Sequence, residues 1–173
     1  MPAKHRNFET GKKALIDILE EMSANKIQPD QHTLYNAMRY VYNLVSGSRE
    51  NIYFVEAQKT ALSLLSEFRN VGIEPSLGAL EVLMKIYNKS AGLGKTHAIV
   101  FDVIEELEKR QKSGIPLQVM IPEDVDFFHL TMANINKIKN VKLAYRTHRL
   151  LLNEGENCNA LLGGFLNQTF YYK

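Results

Sequence analysis

Three stretches of this sequence superimpose at a nearly fixed offset, and that repetition narrows the possible folds more than any other feature. Leu15-Ile16-Asp17-Ile18-Leu19-Glu20-Glu21-Met22, followed by Ile27-Gln28-Pro29-Asp30, matches Ala61-Leu62-Ser63-Leu64-Leu65-Ser66-Glu67-Phe68, followed by Ile73-Glu74-Pro75-Ser76. Leu15 to Ala61, Met22 to Phe68, Ile27 to Ile73 and Pro29 to Pro75 are each 46 residues apart, with no gap. The third copy, Val100 to Leu107, is looser. Its Gly114-Ile115 arrives three residues late, and Pro122-Glu123-Asp124 restarts the pattern 47 residues after Pro75.

Each unit reads as two helices. Leu34, Ala37, Met38 and Val41, and again Leu80, Leu83, Met84 and Tyr87, recur at helical spacing ahead of the repeated blocks. Asp30 and Ser76 stand where a side-chain oxygen can accept from the first free backbone N–H groups of a helix. Gly47 and Gly92 follow first helices, while Gly72, Gly114 and Gly155 follow second helices; all five are expected to supply a left-handed closing residue. One amphipathic hairpin cannot bury its own apolar face, so successive hairpins must stack. The expected fold is therefore all-α, an α-solenoid of stacked antiparallel helix hairpins. The expected units are 11–30 (a second helix alone), 31–76, 77–122, 123–155 and the start of another at 156–173, all within one helical-repeat segment, 1–173, of a longer protein. Phe170-Tyr171-Tyr172-Lys173 ends on an apolar cluster without a capping signal, which fits a chain that continues.

The unit 31–76 has about 11 residues more than a short helical repeat, close to three α-helical turns. That length predicts a second helix from about Glu50 to Asn70 that protrudes beyond its neighbours, with Val55, Leu62, Leu65 and Phe68 on one face. Phe68 is expected to be buried, in the place that Met22 fills one unit earlier.

Composition removes several classes of function. Apolar residues make up 45% and charged residues 23%, the balance of a globular chain with a real core. Net charge is only +2, so an RNA partner would have to be met by local patterning. No window is apolar enough over about 18 residues to span a membrane. Met1-Pro2-Ala3-Lys4-His5-Arg6 carries neither a signal-peptide core nor a clear transit peptide. Cys158 is the only cysteine, which excludes an internal disulfide and a multi-cysteine zinc site, and with no adjacent base it is expected to be inert.

No catalytic constellation stands out. Gly92-Leu93-Gly94-Lys95-Thr96 ends like a phosphate-binding loop, but the required earlier glycine is Lys89 and the preceding segment is helical, so a helix-to-helix turn is expected. His5, His32, His97, His129 and His148 lack the spacing that puts two ligands on one helical face. Glu105, Glu106 and Glu108 are followed by Lys109, Arg110 and Lys112, the pattern of surface ion pairs. Tyr35, Tyr40, Tyr42, Tyr53 and Tyr87 are expected mainly in the core rather than as base-stacking platforms. No enzyme activity, cofactor, metal, membrane or small-molecule substrate is expected.

The best candidate surface is Phe127 to Asn153, which has no Asp or Glu yet carries Lys137, Lys139, Lys142, Arg146 and Arg149. On a helix from Val141 to Asn153, Lys142, Arg146 and Arg149 are four and three apart and form one stripe. Val141, Ala144, Tyr145, His148 and Leu151 are expected to pack inward beside it. Screening confines each charge to about 8–10 Å, so such a block can attract phosphate in a chain of small net charge.

The ending of Ala61 to Ser76, Ala-Leu-x-Leu-Leu-x-Glu-Phe-x-x-x-Gly-Ile-x-Pro, resembles the second half of a pentatricopeptide repeat, and Leu15 to Asp30 is a second copy. Glu67 to Leu77, Asp124 to Phe128, Leu143-Ala144-Tyr145, His148 to Leu151 and Tyr171-Tyr172 extend the likeness to the pentatricopeptide-repeat proteins of the mitochondrial small ribosomal subunit, over roughly Gly11 to Lys173. The resemblance implies a mitochondrial location, small-subunit rRNA and mitochondrial ribosomal proteins as partners, incoming mRNA as a further one, and a role in translation. The chain departs from members that read one base per repeat through a small polar residue. The corresponding positions here fall on Tyr35, with Ser76 closing the repeat, and on Glu81, and the repeats are longer than the usual length of about 35. A modular base code is not expected. RNA contact through shape and backbone, and a protein scaffold without RNA contact, both remain open.

Overall fold

The computed structural model describes residues 3–47, 51–90, 93–115, 117 and 122–153. They form helices α1 (Ala3–Ala24), α2 (Gln31–Ser46), α3 (Asn51–Asn70), α4 (Leu77–Ser90), α5 (Leu93–Lys112), α6 (Pro122–Ile138) and α7 (Val141–Asn153). There is no strand among the described residues. The chain divides into two compact units, Met1–Ser90 and Ala91–Lys173, so the division falls inside the segment 77–122 that the repeat pattern treats as one.

The 46-residue offset survives as a matched set of backbone hydrogen bonds. At the end of α1, Ile27 N–H donates to the Met22 carbonyl and Lys26 N–H to the Ser23 carbonyl; at the end of α3, Ile73 donates to Phe68 and Gly72 to Arg69. Both are Schellman closures, in which one left-handed residue lets two N–H groups reach back to carbonyls the helix leaves free. Gly72 has φ +82° and Lys26 φ +57°. The helix that follows starts at an oxygen cap in each case. Thr33 N–H donates to Asp30 Oδ1 at 2.8 Å while Asp30 N–H donates to Thr33 Oγ1, and Ala79 N–H donates to Ser76 Oγ at 3.2 Å. The third copy closes the same way, with Ile115 donating to Arg110 and Gly114 (φ +76°) to Gln111. Its helix simply runs one further turn before closing. Gly47 differs from the expectation: its φ is −87°, a right-handed helical value, and its N–H donates to the Val45 carbonyl. Gly92 and Gly155 lie outside the described residues.

In the first unit α2 packs against α1, α3 and α4, and α3 against α4. Leu34, Ala37, Met38, Val41 and Val45 turn the apolar face of α2 into the core, where Tyr53, Phe54, Ala57, Ala61, Leu65 and Phe68 of α3 meet it. Two glycines set the closest approaches: a Cβ on Gly11 would lie 2.5 Å from Leu44 Cδ2, and one on Gly78 would lie 3.1 Å from Tyr35 Cε2. Gln31 Nε2 donates to the Glu74 carbonyl at 2.9 Å and ties the start of α2 to the α3–α4 connection. The antiparallel hairpin stacking expected of a helical repeat is what this unit shows.

Helix α3 begins at Asn51 and ends at Asn70, as its length predicts, and Leu65 and Phe68 are buried. Its length does not set it apart from α1 and α5: α1 has 22 residues, and α3 and α5 have 20 each. Leu62 is also 44% exposed, since the buried stripe runs through Phe54, Ala57, Ala61, Leu65 and Phe68 and leaves Leu62 on its flank.

In the second unit α5, α6 and α7 all pack on one another. Phe127 and Phe128 meet edge to face with centroids 5.0 Å apart, an arrangement that adds quadrupole attraction to their buried area. Thr131 and Thr147 are buried and donate to the Phe127 and Leu143 carbonyls one turn back, a bond within their own helices that satisfies the hydroxyl donor. Between α6 and α7 the connection is only two residues. Lys139 takes φ +53°, and Asn140 both closes α6 through its N–H and caps α7 by accepting from Leu143 N–H at 3.1 Å.

Candidate nucleic-acid interface

Helix α7 carries the candidate stripe, and its orientation differs from the sequence expectation. Leu143, Ala144, Thr147, Leu150 and Leu151 are the residues it buries. Val141 (66% exposed) and Tyr145 (57%) face outward and His148 is half-buried, which corrects the inward-packing arc; only Ala144 and Leu151 of that set are in the core. The cause is Thr147. Its hydroxyl is satisfied within the helix, so a nominally polar residue can sit at the centre of the stripe through Leu143 and Leu150. Rotating the buried face this way brings Arg146 to its edge, against α5.

The five cationic candidates are therefore not equivalent. Lys137, Lys139, Lys142 and Arg149 are exposed. Arg146 is half-buried and forms a bidentate pair with Glu108 of α5, Nε to Oε1 at 2.9 Å and Nη2 to Oε2 at 2.8 Å. Its guanidinium carbon also lies 4.8 Å from the centroid of the Phe101 ring, a cation–π contact that favours arginine over lysine. The Arg146 hydrogen bonds hold the Glu108 carboxyl below its ordinary range, against the opposing effect of partial burial, with further attraction from Lys112 and Arg149. The same pair raises the Arg146 pKa above its ordinary value.

Sequence reading missed Lys112 and Glu108. Both line a groove of about 820 Å³ between the last turns of α5 and α7, together with Gln111, Arg146, Arg149 and Asn153. Gln111 Nε2 donates to the Leu150 carbonyl at 2.8 Å, and Asn153 Nδ2 donates to Gln111 Oε1 at 3.3 Å. A search for helix pairs two elements apart would have brought Lys112 beside α7; a scan along the chain could not.

In the first unit, the positions that base-reading repeats would use are occupied by packing. Glu81 is buried and paired with Lys85, and Tyr35 lies over Gly78. A second groove, of about 710 Å³, lies between α1 and α3, where Leu15, Leu19 and Leu64 are flanked by Glu20, Glu56 and Glu67 together with Lys12 and Lys59, the last paired with Glu56. Among the described residues no group of three or more His, Cys, Asp or Glu side chains could hold a metal, and no helix is long and apolar enough to cross a membrane. Helix α4 rather than a strand precedes the Gly-Leu-Gly-Lys-Thr segment, of which Gly92 lies outside the described residues.

What this geometry defines is a helical-repeat protein whose open features are grooves and charged helix faces. No family model matches the chain. Among curated proteins it is similar to the small ribosomal subunit protein mS39 of Mus musculus, 28% identical over 177 residues covering 98% of this chain and 23% of the relative. It is likewise similar to mS39 of Drosophila melanogaster, 30% identical over 158 residues (91% of this chain, 22% of the relative), and of Danio rerio, 26% identical over 172 residues (99% and 24%). The mS39 proteins are pentatricopeptide-repeat proteins of the mitochondrial small ribosomal subunit, not enzymes, and the chain is their homologue over most of its length. Its location, by that homology, is mitochondrial. The chain spans just under a quarter of the length of these relatives.

Proposed function

We propose that the chain is a non-catalytic module of the mitochondrial small ribosomal subunit that contacts rRNA through the exposed cations at the end of α6 and along α7. The observation that carries this reading is the set Lys137, Lys139, Lys142 and Arg149, all exposed within a short stretch that contains no acidic residue. Residues on a helix anchored by a buried face meet successive phosphates without reordering the backbone, and cations so placed act through counterion release. Incoming mRNA is the further partner that this surface would suit. Support for the ribosomal setting comes from relatives named as small ribosomal subunit proteins that match 91–99% of the chain.

The test is to replace Lys137, Lys139 and Lys142 with glutamine in the full-length protein and follow small-subunit incorporation by sedimentation, with RNA filter binding of the chain at two salt concentrations. Incorporation should fall, and the slope of log affinity against log salt should drop by about 0.7 per lost single-strand contact. Unchanged incorporation with an unchanged RNA footprint rejects the reading. The α1–α3 groove, with its leucine floor and three flanking glutamates, favours a second one: a protein scaffold without direct RNA contact.

A further inference from the structure

The groove between the ends of α5 and α7 has a charge arrangement that the fold does not need. Three cationic side chains, Lys112, Arg146 and Arg149, line it against one carboxylate, Glu108. Arg146 is held by Glu108 through two hydrogen bonds, and Lys112 and Arg149 attract that same carboxylate. Three positive charges thus converge on Glu108, with Glu105 acting on Arg146 from α5 as well, and Lys112 and Arg149 are left over. Lys112 and Arg149 are exposed, with no ion pair among the described residues. Glu108 and Arg146 are largely withdrawn from water, with side chains 26% and 28% exposed, so a charge-assisted hydrogen bond formed there is screened less than one on an open surface.

A carboxylate presents two anionic oxygens on one centre, and so does a phosphodiester. Glu108 shows by its own position that Arg146 can grip such a pair. We infer that this groove is a phosphodiester site for RNA, in which Lys112 and Arg149 hold the backbone and Glu108 is a resident competitor for Arg146. The site lies between α5 and α7, the second helices of successive repeats, and not on the first-helix positions that base-reading repeats use. Tyr145 supports RNA over an acidic peptide: it stands one turn before Arg149 on the same face and is 57% exposed. An unpaired base beside the bound phosphate would cover that ring by stacking; a carboxylate side chain would not.

The inference rests on the RNA-contact reading above, and one set of variants separates the two. The probe is a mixed-sequence single-stranded RNA oligonucleotide, titrated against the intact chain over a range of salt, with helicity checked by circular dichroism. Lys112→Gln should lower the salt slope by about 0.7, and Glu108→Gln should raise affinity about fivefold at 0.1 M salt, the electrostatic worth of one freed contact. Tyr145→Ala should weaken RNA binding while leaving inorganic polyphosphate binding unchanged. If Glu108→Gln leaves affinity equal or lower and Lys112→Gln leaves the slope intact, the groove is not the site. Should Lys137, Lys139 and Lys142 matter while the groove variants do not, the groove alone is rejected. Polyglutamate bound more tightly than RNA would overturn it in favour of an acidic protein partner, and a wild-type chain that binds no RNA would remove both readings.

Discussion

Asn134 lies in the interior of α6 at 0% exposure, and among the described residues neither its Nδ2 nor its Oδ1 has a hydrogen-bond partner. A buried amide stripped of water without compensation costs about 1–3 kcal/mol. Asn134→Leu removes both orphaned atoms, keeps a side chain of similar length in the same space, and improves helix propensity by a few tenths of a kcal/mol. The packing of a branched aliphatic side chain takes back part of that gain, since the cavity was shaped around an amide. The net expectation is a stabilisation of about 1–2 kcal/mol, which in a unit of this size raises Tm by at least about 4 °C. Thermal melts followed by far-UV circular dichroism would measure it, with urea melts to check that the m-value is unchanged. The sign decides the matter, because most buried substitutions destabilise. A lower Tm for the leucine variant would mean that the amide is satisfied, by a bound water or another chain, and that the orphan account is wrong.

Phe68 is buried at the closing turn of α3, so Phe68→Ala should cost about 3–5 kcal/mol and the loss should appear first in hydrogen exchange of α2 and α4. Lys139 holds φ +53° with an L side chain; Lys139→Gly should relieve about 1 kcal/mol of left-handed strain and raise Tm, while removing a candidate RNA-facing charge. The Glu108 carboxyl is held below its ordinary pKa of 4.5, chiefly by Arg146. A depressed folded-state pKa gives stability that is present above the unfolded value and lost as pH falls through the folded one. The Tm gap between wild type and Glu108→Gln should therefore be widest near neutrality and close as pH drops below about 4.5; a gap independent of pH would mean that the pair contributes through packing alone.

The hairpin register could be read from the sequence because the signals that set it are local. Met22 and Phe68, Lys26 and Gly72, Ile27 and Ile73, and Asp30 and Ser76 occupy matching places in the two closures, and each pair is 46 residues apart. Capping and Schellman hydrogen bonds span only a few residues, so a short window contains their cause. The same offset places Lys26 opposite Gly72, yet lysine carries no left-handed preference of its own, and only the glycines were expected to close helices in that conformation. Lys139 had no aligned glycine at all. The orientation of α7 was misread because Thr147 breaks the apolar pattern at its centre, and a hydroxyl that bonds its own helix behaves as a core residue.

Charge was harder to read than fold because its partners lie on other helices. Phe127 to Asn153 contains no acidic residue, but Arg146 finds Glu108, 38 residues earlier, as soon as α7 packs on α5. The same packing brings Lys112 into the neighbourhood, so the groove trades one cation of the stripe for another. Where first helices meet, in contrast, side chains are used up by the contact: α2 packs on α4 with Tyr35 over Gly78 and Glu81 buried beside it. Base reading through small polar residues needs those positions open, and long aromatic and acidic side chains there close them instead. Second helices in both units leave grooves between them, leucine-floored with three flanking glutamates between α1 and α3, and cation-rich between α5 and α7. A repeat that has committed its first helices to packing has its second helices left for binding, and the mixed charge between α1 and α3, where Lys12 and Lys59 stand among the glutamates, suits a different partner from the cation-rich groove between α5 and α7.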